Sequence, residues 1–134
     1  MNDNLLLIVG KSASGKSFSL HELDNPEGVM YLNTESGKKL PFPAKFIKGK
    51  DGKTGLTITD PHQVYEAFEM AEKMPTVHTI VVDSLTYLMD MYESMYVLNA
   101  ANTMAAWSNY AQFFKYLMQD RVILFGKPVI FTAH

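Results

Sequence analysis

The chain has 134 residues, enough for one domain, and its 12 basic and 14 acidic residues leave a formal charge of -2, a balance that demands neither nucleic acid nor an anionic membrane as partner. It contains no cysteine, which excludes a disulfide framework and any thiolate metal site. The opening MNDNLLLIVGKS lacks the basic region and cleavage site of a signal peptide, and no apolar run approaches the length of a membrane span, so the expectation is a soluble cytoplasmic protein with no membrane partner.

LLLIV, Leu5 to Val9, is a continuous apolar run closed by Gly10 and suits a parallel strand buried on both faces. VMYLN (Val29 to Asn33), HTIVVD (His78 to Asp83) and PVIFTA (Pro128 to Ala133) have the same character, which makes four candidate core strands. The segment from Gly37 to Thr59 differs. It holds PFP, GKDGK and the short runs KFIKG and LTIT, and reads as a small surface hairpin inserted between the second and third core strands. Helical patterns fill the other intervals. In DPHQ, Asp60 can be the N-cap, Pro61 fits the first helical position and Gln63 the third, after which Val64, Ala67, Phe68 and Ala71 form one apolar face. Leu88, Met91, Met95 and Leu98 make a second stripe, and Trp107, Tyr110, Ala111, Phe114, Leu117 and Met118 a third. Strands alternating with helices predict an α/β fold with a mainly parallel sheet flanked by helices, in one domain spanning residues 1–134.

The chemistry concentrates at the carboxyl ends of these strands. GKSASGKS, residues 10 to 17, satisfies G-x-x-x-x-G-K-[ST] directly after the first strand. The spacing turns backbone N–H groups inward around a phosphate, so Gly10, Lys11, Ser12, Ala13, Ser14, Gly15, Lys16 and Ser17 are the expected nucleotide cradle, opening a helix in GKSFSLHEL. Within it Lys16 reaches the β/γ-phosphates and the Ser17 hydroxyl holds Mg²⁺. A second carboxylate at the end of a neighbouring apolar strand is needed to organise the metal, and TIVVDS supplies Asp83. The alternative is structural: Asp83 or Ser84 could serve as the cap of a following helix. Many ATPases with this phosphate-binding motif place a glutamate directly after the strand-end aspartate; here that position is Ser84, so a base for hydrolysis must come from elsewhere. Glu35, just beyond the second strand in YLNTES, is the candidate. His134 ends the fourth strand, where a polar side chain could sense the γ-phosphate.

Together these patches resemble the RecA-like branch of P-loop ATPases: YLNTE its strand ending in the catalytic glutamate, IVVDS its Walker B strand, VIFTAH its sensor strand. The closest likeness is to phage-encoded RecA-like ATPases, AAA-type nucleotide-binding proteins of single-strand annealing and homologous recombination. The resemblance implies a RecA-like P-loop core binding ATP and Mg²⁺, with Lys16 and Ser17 on nucleotide and metal, Asp83 on the metal, Glu35 as base, and His134 as a sensor coupled to DNA. It implies DNA-dependent ATP hydrolysis, single-stranded DNA and further copies of the chain as partners, and a host cytoplasm if the protein is phage-encoded. In that family the core continues past the sensor strand. The expectation is therefore that this chain lacks C-terminal strands, being an incomplete or split form, and that LLLIV lies on an open sheet edge beside the sensor strand.

Several features stay open between function and architecture. Six of the twelve basic residues lie between Lys38 and Lys53 and serve either a DNA backbone or a solvated surface, while Phe42 and Phe46 either stack on bases or anchor the hairpin. The uncharged NAANTMAA, Asn99 to Ala106, is a weak candidate for a DNA-facing loop. Arg121, the only arginine, is expected on the surface of a long helix, with an arginine finger as the alternative. A small-molecule P-loop kinase is the competing reading, disfavoured by that single arginine, and a nucleotide-dependent assembly module without turnover is a third. No N-K-x-D element for guanine is present, which favours ATP.

Overall fold

The computed structural model of the chain describes residues 5–10, 18–35 and 39–134. Five strands form one sheet: β1 (Leu5–Val9), β2 (Val29–Asn33), β3 (Leu56–Thr57), β4 (Thr79–Asp83) and β5 (Val129–Ala133), in the spatial order β1-β5-β4-β2-β3. All neighbours run parallel. The four predicted core strands are present, and β5 lies between β1 and β4 as the resemblance implied.

One face of the sheet is covered by helices. Met30, Leu32, Ile80, Val82, Val129 and Phe131 form a core with Val64, Ala67, Phe68 and Ala71 of α1 (Gln63–Glu72), and with Leu88 of α2 (Leu85–Tyr92). The hydrogen bonds predicted for the start of α1 form, although the α-helix itself begins at Gln63, after a turn at Pro61 and His62, and not at Pro61. The Asp60 carboxylate accepts from the backbone N–H of His62 at 3.0 Å, and the Gln63 side-chain oxygen accepts from the backbone N–H groups of Thr59 and Asp60, a reciprocal cap. The opposite face is covered differently. Leu20, from the 3₁₀ turn Phe18–Glu22, and Phe46 pack on Val29, Tyr31, Val81 and Ile130. That 3₁₀ turn stands where an α-helix was expected, and its preceding residues 11–17 lie outside the described part.

Four expectations need correction. Residues 39–57 are not a surface hairpin. A turn at Gly49–Lys53 does fold back, with Lys48 bridged to Thr54, but Phe46 is buried and Leu56 and Thr57 join the central sheet beside Leu32 and Asn33. The close approach depends on Gly55, whose φ is +83° and where a Cβ would lie 2.8 Å from Cδ2 of Tyr31.

Strand β1 is not buried on both faces. At the sheet edge, Leu5, Leu6, Leu7 and Val9 are 46–63 % exposed, and among the described residues β5 is its one strand partner.

The helical stripes also shift. Helix α2 runs into a π-helical turn, Glu93–Val97, which inserts a residue into the helical period, so Tyr92 and Val97 turn inward while Met95 and Leu98 face solvent. In α3 (Thr103–Tyr116) the inward face carries Ala106 and Phe113 and leaves Trp107 and Ala111 outside. Arg121, finally, is interior. It closes a second π turn, Leu117–Arg121, before the short α4 (Val122–Phe125), is 8 % exposed, and donates to Glu72 of α1.

No helix among the described residues is long and apolar enough to cross a membrane.

Candidate functional site

The side chains on the face opposite the helices change character toward the carboxyl ends of the strands. One row across the sheet is Leu6, Ile130, Val81 and Tyr31, and the next row outward is Ile8, Thr132, Asp83, Asn33 and Thr57. An apolar row thus gives way to a polar one at the strand ends, where open parallel sheets bind their ligands.

Asp83 is the centre of that row and is 1 % exposed. A carboxylate buried to this degree is costly unless hydrogen-bonded, and two hydroxyls meet it from opposite sides. Tyr31 of β2 donates to Oδ2 at 2.6 Å, and Thr132 of β5 donates to Oδ1 at 2.6 Å. Hydrogen bonds to a charged acceptor contribute about 1.5–3 kcal/mol each. Asp83 makes at least one further interaction beyond these two. Burial, then the adjacent charge of Asp83 and its hydrogen bond, then the charge of Glu35, raise the Tyr31 phenol far above its ordinary range. Tyr31 is therefore a hydrogen-bond donor at every physiological pH.

The cap assignment separates Asp83 from its neighbour. Ser84, not Asp83, caps α2, its Oγ accepting from the backbone N–H of Tyr87 at 3.3 Å. The peptide bond joining Asp83 to Ser84 is cis. The ends of β2 and β4 are latched here: Thr34 N–H donates to the Asp83 carbonyl at 2.9 Å, Ser84 N–H donates to Thr34 Oγ1 at 2.7 Å, and that hydroxyl donates to the Ser84 carbonyl at 2.8 Å.

Glu35 follows this latch directly. It is half-buried, its N–H donates to Asn33 Oδ1 at 3.0 Å, and its charge is felt at the Tyr31 hydroxyl. Gly10 extends the β1–β5 pairing, its N–H donating to the Ala133 carbonyl at 3.1 Å, which brings the start of GKSASGKS to the same edge. His134 is exposed there, with its N–H on Thr86 Oγ1 at 3.0 Å and its ring edge-on to Tyr87 at 5.2 Å. The structure thus brings Gly10, Glu35, Asp83 and His134 to one end of the sheet. Lys11, Ser12, Ala13, Ser14, Gly15, Lys16 and Ser17 lie outside the described residues.

Sequence reasoning missed Tyr31 and Thr132. The residues themselves were visible, but pairing them with Asp83 required the register of three strands. Asp83 offers hard carboxylate oxygens at a strand end, the ligand type Mg²⁺ takes when substrate phosphates complete its shell, and among the described residues no cluster of three or more His, Asp or Glu side chains accompanies it.

Phe46 settles one alternative left open above. It is buried and stacks on Tyr31, centroids 5.6 Å apart, so it anchors the lysine-rich segment and is not available to a base. The described lysines of that segment, Lys39, Lys45, Lys48, Lys50 and Lys53, are all exposed.

A family model described as AAA domain matches residues 2–134, and the chain belongs to that family. The match identifies an AAA-type P-loop ATPase domain, a class that generally binds ATP with Mg²⁺. No curated protein matches the chain.

Proposed function

We propose, from membership of the AAA domain family together with the resemblance of the strand motifs to RecA-like ATPases, that this chain is an ATP-binding, Mg²⁺-dependent ATPase of RecA-like layout whose turnover is stimulated by single-stranded DNA. The observation that carries the reading is Asp83, a buried carboxylate oriented by two hydroxyls at the end of a central strand. It shares one sheet edge with Glu35, His134 and the start of the phosphate-binding motif.

In this reading the backbone of residues 10–17 cradles the phosphates, with Lys16 on the β/γ-phosphates, and Ser17 and Asp83 hold the metal. Mg²⁺, when bound with the nucleotide, neutralises phosphate charge. Glu35 orients and deprotonates the attacking water from the far side of Asp83, tied through Asn33 and Thr34 to the strand ends. His134, at the end of β5, reports the nucleotide's state through the first turn of α2, which its N–H and ring touch. The exposed lysines of residues 39–53 supply charge for a nucleic-acid backbone. A recombination or annealing role, in a phage-infected cytoplasm, is the setting that fits the resemblance in the strand motifs.

Glu35→Gln tests the assignment. Hydrolysis is expected to fall by at least about 100-fold, the scale of a lost general base, while binding of a fluorescent ATP analogue stays within about twofold. Turnover retained in Glu35→Gln removes Glu35 as the base. Transfer of phosphate to an acceptor other than water would establish the kinase reading instead. The apolar edge of β1 favours a second reading, nucleotide-controlled assembly, in which binding without turnover changes the size of the particle.

A further inference from the structure

We infer that Tyr31 is a positioning residue for Asp83: its hydroxyl sets the carboxylate's orientation toward the metal, and its ring makes that orientation depend on the lysine-rich segment packed against it. The inference rests on the nucleotide-binding reading above and extends it to a residue outside every motif.

A carboxylate free to rotate about its terminal bond presents its oxygens in many directions. Here the two oxygens are claimed by donors from strands on opposite sides, Thr132 on β5 and Tyr31 on β2, each at 2.6 Å. The plane of the group is thereby defined. The two donors are not equivalent. Thr132 is a short side chain in the same row as Asp83 and 0 % exposed, so it moves only with the sheet. Tyr31 stands opposite Val81, two residues before Asp83, a displacement of about 6.6 Å along the strand. Its whole ring spans that distance, so a tilt of the ring carries the hydroxyl with it.

What fixes the ring is residues 39–57. Phe46 stacks on it with an interplanar angle of 24°, and the backbone of Gly55 lies where no Cβ would fit beside Cδ2. Ile47 and Gly55 are in turn tied to β2 and to each other, Ile47 N–H donating to the Val29 carbonyl at 3.1 Å and Gly55 N–H to the Ile47 carbonyl at 2.9 Å. Tyr31 also lines a cleft of about 500 Å³ together with Asn33, Lys39, Phe42, Asp51 and Lys53. One tyrosine thus joins the lysine-rich segment to the metal-organising carboxylate.

The test uses the full chain and two variants. Tyr31→Phe keeps the ring and removes the hydroxyl; Phe46→Leu keeps the hydroxyl and removes the stacked ring. Binding of a fluorescent ADP analogue is titrated against Mg²⁺, and again in EDTA, alongside thermal unfolding. Loss of one charge-assisted hydrogen bond predicts that Tyr31→Phe raises the Mg²⁺ concentration for half-maximal binding by about tenfold, with metal-free affinity unchanged within about twofold. Phe46→Leu is expected to shift the same midpoint in the same direction, by about twofold to threefold.

An unshifted midpoint in Tyr31→Phe overturns the inference. So does an equal loss of binding with and without metal, which would mark Tyr31 as structural only. An unshifted Phe46→Leu overturns the link to the lysine-rich segment, and this variant carries the test if Tyr31→Phe fails to fold. Absence of Mg²⁺-dependent binding in the unaltered chain would remove the parent reading, a failure visible before either variant is compared.

Discussion

Replacing Asp83 by Asn preserves volume but turns one carboxylate oxygen into an NH₂ group that cannot accept from Tyr31 or Thr132. One of the two hydroxyls is left facing a donor in a buried row. Asp83→Asn should therefore lower the unfolding free energy by about 1–3 kcal/mol and abolish the Mg²⁺ dependence of nucleotide binding, read by urea melts and by metal titration. Gly55→Ala is a second residue-scale case. Its φ of +83° and the 2.8 Å approach to Tyr31 Cδ2 together predict a loss of roughly 1–3 kcal/mol in the same melts. The position of Asp83 was legible in the sequence, because the apolar run TIVV reads as a core strand and Asp83 as its carboxyl end. Tyr31 was not. A tyrosine in VMYLN reads as an ordinary strand residue, and only the alignment of β2 with β4, across 52 residues of sequence, shows that its hydroxyl reaches Asp83.

Among the elements, constant-period reasoning succeeded where the helix is regular and failed where it is not. In α1 the face Val64, Ala67, Phe68 and Ala71 is buried as read. Beyond Tyr92 the π turn moves the inward face, and no composition signal announces an inserted residue. The same applies to Arg121, whose place on a π turn points it at Glu72 instead of at solvent. Arg121→Ala removes the partner of a Glu72 side chain that is 29 % exposed. Because that partial exposure lets water replace some of the lost interaction, the expected cost is about 2 kcal/mol, below the range for a fully buried pair, measured by denaturant unfolding.

The lysine-rich segment makes an element-scale prediction of its own. Replacing Lys48, Lys50 and Lys53 with Ala should flatten the salt dependence of single-stranded DNA binding by about two units of slope if all three meet phosphates. An unchanged slope would reduce these lysines to a solvated surface. The reading of this segment as a hairpin failed because two residues, Leu56 and Thr57, are too short a run to announce a sheet strand, and because Gly55 permits an approach that sequence spacing does not reveal.

At the scale of the whole molecule, the α/β class follows from the alternation of apolar runs and helices, the place of β5 beside β1 follows from the family resemblance and not from the alternation, and the polar residues ending those runs meet at one edge. What the apolar run LLLIV did not disclose is how much of itself it would leave exposed. An uncovered apolar edge strand invites pairing, so Leu6→Lys is expected to reduce self-association of the purified chain, measured by light scattering. Association unchanged by the substitution would place the contact elsewhere.

In the proposed function, GKSASGKS and Asp83 form one nucleotide site that hydrolyses ATP. Steady-state ATP hydrolysis by the purified chain, with and without single-stranded DNA and with Lys16→Ala as the blank, tests it most directly. The expected result is Mg²⁺-dependent turnover that DNA stimulates and that Lys16→Ala loses. Failure of the folded chain to bind or hydrolyse ATP, or turnover unaffected by Lys16→Ala, would contradict it.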